Sequence, residues 1–229
     1  MRLQRWRHGR RCRQAARDST QPVLSRYLQD CADLSIGRID ETPLIAVDLE
    51  LTGLDKRRER IVAMGWTRID GGRIRFEDHR RLLLRSDRPV GDSALVHGLT
   101  DTEVESGVPV GQGLEALFEA ARGRLWVMHH AGLDVAFLKR ACAAWAGVVP
   151  GFIVLDTLRI EYRLRLRREI PVKQGDLQLD RIRGRYGLPP HATHDALGDA
   201  VATAELMIAI AAGMADDEPL ALAPHVKFF

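Results

Sequence analysis

The chain has 229 residues, 45% of them hydrophobic and 28% charged, with a formal net charge of +3. That is enough apolar material for one domain with a core, and it excludes disordered and fibrous classes. No uninterrupted apolar run approaches the ~18 residues of a membrane span, and the start lacks the apolar middle of a signal peptide, so a soluble, cytoplasmic protein with no membrane partner is expected.

The three cysteines, Cys12, Cys31 and Cys142, are far apart in the chain and include no C-x-x-C pair. They predict neither a zinc site nor a disulfide framework. The basic charge is local: residues 1–17 hold seven Arg and no acid, and the rest, with 27 basic and 31 acidic residues, carries −4. Such a segment is expected to be either a phosphate-contacting arm or a solvated, partly disordered N-terminus. An organellar transit peptide has a similar composition. With 30 Arg against 4 Lys and no Asn at all, coding bias accounts for part of the pattern.

In chain order, Leu44–Val47 reads as a buried strand running into acids and then Thr52-Gly53. Ile61–Ile69 and Arg73–Phe76 read as strands joined by a tight turn at Asp70-Gly71-Gly72, and His79–Arg85 as a third strand. Beyond this meander the pattern alternates: Gly111–Arg122 helix, Leu125–His129 strand, Leu133–Trp145 helix, Phe152–Leu155 strand. A last long helix is expected over about Asp195–Ala212, with Leu197, Val201, Ala204 and Ile208 on one stripe. Strands first and βαβ units afterwards imply an α/β fold with a mixed sheet and helices on both faces. Residues 1–42 are taken as a basic N-terminal arm, 43–213 as the domain and 214–229 as a C-terminal tail.

The chemistry lies in carboxylates at element ends. A strand's period of two puts Asp48 and Glu50 on one face while Val47, Leu49 and Leu51 face the core. Paired carboxylates suit a hard divalent cation, although a solvated strand end reads the same way. Asp134 opens a helix, where an acid also complements the macrodipole. Asp199 lies one turn inside the last helix, and His194 stands at its start, as a capping or surface histidine would.

Taken together, Asp48-x-Glu50, Asp134 and His194-x-x-x-x-Asp199 resemble the three motifs of the DEDDh family of 3′ to 5′ exonucleases, which includes the proofreading epsilon subunit of bacterial DNA polymerase III. The surrounding segments Ala46–Asp55 and Val96-His97-Gly98-Leu99-Thr100 resemble that family too, and Asp156-Thr157 sits after a strand as it does there. The resemblance covers about Pro43–Gly213. It implies an RNase H-like fold with a five-stranded type of mixed sheet. It also implies two divalent ions, Mg²⁺ or Mn²⁺, held by Asp48, Glu50, Asp134 and Asp199, and His194 as general base.

By the same resemblance Thr52, Gly53, Leu54 and His97 position the terminal nucleotide. His130 and Leu133 replace residues that are often Asn and Phe, which bears on how that nucleotide fits. The expected activity is removal of nucleoside 5′-monophosphates from single-stranded 3′ ends, DNA before RNA, as in repair or proofreading. An RNA-trimming relative and a non-catalytic polymerase-accessory module are the alternatives. Asp195 is expected as a helix-start acid, with orientation of His194 as the other reading.

Gly111-Gln112-Gly113 lacks the third glycine of a dinucleotide fingerprint. A second basic cluster, Arg159, Arg163, Arg165, Arg167, Arg168 and Lys173 leading to Arg181, Arg183 and Arg185, forms either a backbone-tracking stripe or a solvated face. The apolar end His225–Phe229 either contacts a sliding clamp or polymerase or docks on its own domain. No long extension follows the domain, so a free-standing relative is expected.

Overall fold

A computed structural model of the chain describes residues 2–86, 98–191 and 193–229. Two helices come first, α1 (Arg2–Asp18) and α2 (Pro22–Asp33), then strands β1 (Leu44–Leu51), β2 (Ile61–Asp70) and β3 (Arg73–Leu83). There follow α3 (Asp101–Glu105), α4 (Val110–Ala120), β4 (Leu125–Met128), α5 (Asp134–Ala146), β5 (Ile153–Asp156), α6 (Thr157–Arg167), α7 (Leu179–Arg185), α8 (Ala196–Met214) and β6 (Val226–Phe228).

The strands form one mixed sheet in the order β3-β2-β1-β4-β5-β6. β1 pairs antiparallel with β2 and parallel with β4, and β4 is parallel to β5. The expected turn between β2 and β3 is present: Gly71 and Gly72 both take positive φ, 60° and 70°, as a two-residue hairpin loop requires. The stretch expected as a third strand at His79 is the continuation of β3. One register irregularity between Trp66 and Arg68 lets a single long strand follow β2.

Alternation along β1 sorts the two faces. Ile45, Val47 and Leu49 are buried on one face, where Tyr27 of α2, Phe118 of α4, Trp126 and Phe152 stack with centroids 4.8–6.4 Å apart. Asp48 and Glu50 project to the other, where α8 crosses β1 and β2. α8 is long and apolar enough by composition to cross a membrane. Asp199 and Glu205 interrupt its apolar run, which hid this in the sequence. It lies on the sheet, burying Ala200, Ala204, Leu206, Met207 and Ile210.

Both chain ends pack with the domain expected over residues 43–213. The basic arm is helical: α1 packs against α2, and Cys12, Ala16, Leu24, Tyr27 and Leu28 join the same core as the sheet. The tail is the sixth strand. β6 pairs antiparallel with β5 in the register Ile153↔Phe228 and Leu155↔Val226, and Phe229 and Phe152 exchange backbone hydrogen bonds. His225–Phe229 therefore docks on its own domain.

Candidate active site

β1 delivers Asp48 and Glu50, and the start of α8 delivers Asp199. One carboxylate oxygen from each lies within 4.8 Å of the others. Gly65 makes this approach possible. It sits on β2 directly opposite Asp48, where a Cβ would stand 2.1 Å from the carbonyl of Ala196 and 2.3 Å from the nitrogen of Leu197. Only glycine lets the first turn of α8 lie against the sheet there. Asp195 caps α8, accepting from Gly198 N at 2.9 Å, and pairs with Arg81 at 2.7 Å. This supports the helix-start reading of that acid.

Asp134 is the first residue of α5 and is buried. It stands outside the three-carboxylate group but close enough to act on Asp48 electrostatically. Burial, and then Asp134, Asp199 and Glu50, push Asp48 well above the usual carboxylate range. Burial and Asp199 push Glu50 up to about 7, and burial with Glu50 pushes Asp134 up to about 8. Without positive charge among them, these acids would hold protons near neutral pH.

Among the described residues, Glu50 Oε1 is buried without a hydrogen-bond partner. An oxygen-only donor set with one oxygen still unsatisfied fits a hard divalent cation better than it fits a structural network.

Asp199 Oδ2 accepts from the backbone N of His194 at 2.8 Å, and its Oδ1 accepts from His191 Nε2 at 2.7 Å. The other ring nitrogen of His191 lies 3.2 Å from Asp180 without hydrogen-bond alignment. Sequence reasoning missed His191, whose spacing to Asp199 matches no motif but places it over the first turn of α8. His194 has positive φ, 60°, and an exposed side chain. It opens onto a cleft of about 570 Å³ lined by Asp48, His130, Lys173, Gln178, His191 and Asp199 among others.

His130 also has positive φ, 61°, and its backbone N donates to Asp156, which N-caps α6. The adjacent His129 is half-buried, and desolvation holds it down to about 4. Its Nε2 donates to the Leu177 carbonyl at 3.0 Å, leaving Nδ1 to accept from the Thr157 hydroxyl at 2.8 Å.

Thr52, Gly53 and Leu54 follow β1 and do not line the cleft. The Thr52 hydroxyl donates to Glu59 at 2.5 Å and accepts from Arg60 N at 2.9 Å, closing the loop after the strand. Leu54 is 77% exposed. His97 lies outside the described residues.

The two basic clusters meet. A cleft of about 560 Å³ is lined by Arg7 and Arg11 of α1, Arg159 and Arg163 of α6, and Lys227 of β6. Among the described residues none of these five makes an ion pair. Other members of the second cluster are structural. Arg183 is buried, bonding Ala202 O and pairing with Glu205, while Arg165 and Arg185 pair with Asp176 and Glu161.

Residues 45–207 match the model of the RNase T family, described as exonucleases. The chain belongs to this exonuclease family. Its relatives include a PolC-type DNA polymerase III of Thermotoga maritima, 28% identical over 82% of the chain and 13% of that protein. Another is a DNA polymerase III subunit epsilon-like protein of Rhodobacter capsulatus, 30% identical over 74% of the chain and 24% of that protein. The exonuclease-family chain thus spans less than a quarter of the length of these two relatives. Escherichia coli Exonuclease I, solved with a 5cy-dT13 oligonucleotide, superposes with a TM-score of 0.62 at 15% identity, over 76% of this chain and 41% of that one. This likeness supports the RNase H-like fold, with β6 added to the expected five strands.

Proposed function

We propose that the protein is a metal-dependent 3′ to 5′ exonuclease that trims single-stranded nucleic-acid ends, DNA in preference to RNA, and releases nucleoside 5′-monophosphates. The observation that carries this reading is the convergence of Asp48, Glu50 and Asp199, one carboxylate oxygen of each within 4.8 Å of the others. Asp134, buried at the start of α5, would complete a ligand set for two divalent ions, Mg²⁺ or Mn²⁺. Bound there, such ions supply Lewis-acid stabilisation of the phosphoryl charge and a more acidic water.

The chain's own groups do the rest. His194, exposed at the cleft mouth, takes the proton of the attacking water as general base. The water oxygen bonds to phosphorus, the bond to the 3′ oxygen breaks, and that oxygen takes up a proton as the strand's new 3′ hydroxyl. His191 holds Asp199 in place through Oδ1. His130 and Lys173 line the cleft and, on this reading, contact the terminal nucleotide. The unpaired cations of the α1–α6 cleft give the rest of the strand an electrostatic track that does not read sequence.

The preference for DNA rests on the relatives, which are DNA polymerase III proteins, and on the oligonucleotide bound by the structural neighbour. The test is chromatography of the products from unlabelled single-stranded DNA and RNA of one sequence, in Mg²⁺, Mn²⁺ or EDTA. Nucleoside 5′-monophosphates released faster from DNA, and none in EDTA, are expected. Faster release from RNA would replace the DNA reading with RNA trimming. Binding without any release would replace the enzyme with an accessory module.

A further inference from the structure

The buried stripe of α1 consists of His8, Gly9, Cys12 and Ala16. A helix with seven arginines thus offers the core no large apolar side chain. Burying a Val or Leu side chain is stabilising, and α1 forgoes that contribution at every inward position. It presents instead a histidine and a cysteine four residues apart on one face. α2 answers with Cys31.

His8 Nε2 lies 3.3 Å from Cys12 Sγ and 3.4 Å from Cys31 Sγ, and the three ligand atoms all fall within 4.8 Å of one another. All three residues are buried, at 6%, 0% and 6% exposure. With metal–sulfur and metal–nitrogen bonds of about 2.3 and 2.0–2.1 Å, a tetrahedral zinc site separates N from S by roughly 3.5 Å. These atoms already stand near those edges.

The surrounding backbone leaves the room. A Cβ on Gly151 would come within 2.7 Å of His8 Cε1 and 3.0 Å of Cys12 Sγ. A Cys12–Cys31 disulfide would account for two of the three groups and leave His8 buried beside them without a role.

We propose that His8 Nε2 and the thiolates of Cys12 and Cys31 form a buried binding site for a soft divalent cation of the zinc class, which staples α1 to α2. His8 also stacks on Phe228 of β6 at 5.2 Å, so the same site ties the N-terminal hairpin to the edge strand. It is separate in chemistry from the carboxylate cluster: nitrogen and sulfur donors select borderline-soft ions, and oxygen donors select hard ones. Binding sends the displaced thiol protons to solvent.

Titration of the reduced, metal-stripped full-length protein with Co²⁺ tests this. A thiolate-to-cobalt charge-transfer band saturating at one ion per chain, and displaced by Zn²⁺, is expected; an all-oxygen site cannot produce it. The band is expected to persist in Cys142→Ser and in Asp199→Ala and to vanish in the Cys12→Ser, Cys31→Ser double variant. The wild-type titration stands even where a variant fails to fold. No band in the reduced wild-type protein, or an unchanged band in the double variant, overturns the proposal. Retention of the band in Asp199→Ala keeps the outcome independent of the nuclease reading.

Discussion

Gly65 and Ala196 touch where β2 meets the first turn of α8, and no side chain fits between them: a Cβ on Gly65 would lie 2.1 Å from the Ala196 carbonyl carbon. Because Gly65 is the register partner of Asp48, this contact sets how near Asp199 comes to β1. Overpacking a well-fitted core costs about 1–3 kcal/mol. Gly65→Ala is therefore expected to lower stability within that range in denaturant melts. Activity should fall by more than stability explains, because the carboxylates are pushed apart.

In EDTA, Asp48→Asn is expected to melt higher than the wild type at pH 8 and to lose that advantage toward pH 5. The folded pKa of Asp48 lies above its unfolded value. Its protonated form then contributes stability that is full below the unfolded value, about 4, and is lost as pH rises through the folded one. Asn carries no such dependence. The gain would appear as a higher Tm for Asp48→Asn at pH 8. Calorimetry at the two pH values checks it.

The two histidines near Asp199 separate by role. His194→Ala is expected to lower kcat by about 10²–10⁴-fold with the Mg²⁺ requirement unchanged, as loss of a general base does. His191→Ala removes the 2.7 Å bond to Asp199. It is expected to raise the half-saturating Mg²⁺ concentration by about 10–100-fold, the usual cost of an orienting partner behind a metal ligand. Mg²⁺ titrations of the rate on both variants distinguish them.

Changing Arg7, Arg11, Arg159 and Arg163 to Ala together is expected to weaken single-stranded DNA binding and flatten its salt dependence. Each lost phosphate contact removes about 0.7 from the log–log slope. Four contacts would lower it by about 3, measured by anisotropy in EDTA on the Asp199→Ala background. An unchanged slope would mean that the cations of the α1–α6 cleft stay in solvent.

What the sequence disclosed follows from range. β1, β4, α5 and α8 were legible because their periodicity and flanking residues are local. The acids of the site were legible because each sits at an element end. The roles of Gly65, Cys31 and Phe228 depend on partners distant in the chain, Ala196, His8 and Ile153, and no local pattern marks such pairs. α1 was hidden for the opposite reason: its arginines dominate the composition, and its inward stripe has no apolar period to detect. His191 was obscured by His194, which fits the motif.

The most direct measurement follows matched single-stranded oligonucleotides, one labelled at the 5′ end and one at the 3′ end, through digestion by the wild type, His194→Ala and Asp199→Ala in Mg²⁺ and in EDTA. The 5′-labelled strand is expected to shorten as a ladder while the 3′ label leaves at once as a mononucleotide, with both signals absent in EDTA and in Asp199→Ala. A 3′-labelled ladder, internal cuts, or undiminished cleavage by Asp199→Ala would contradict the assignment of the carboxylate cluster to 3′ to 5′ hydrolysis.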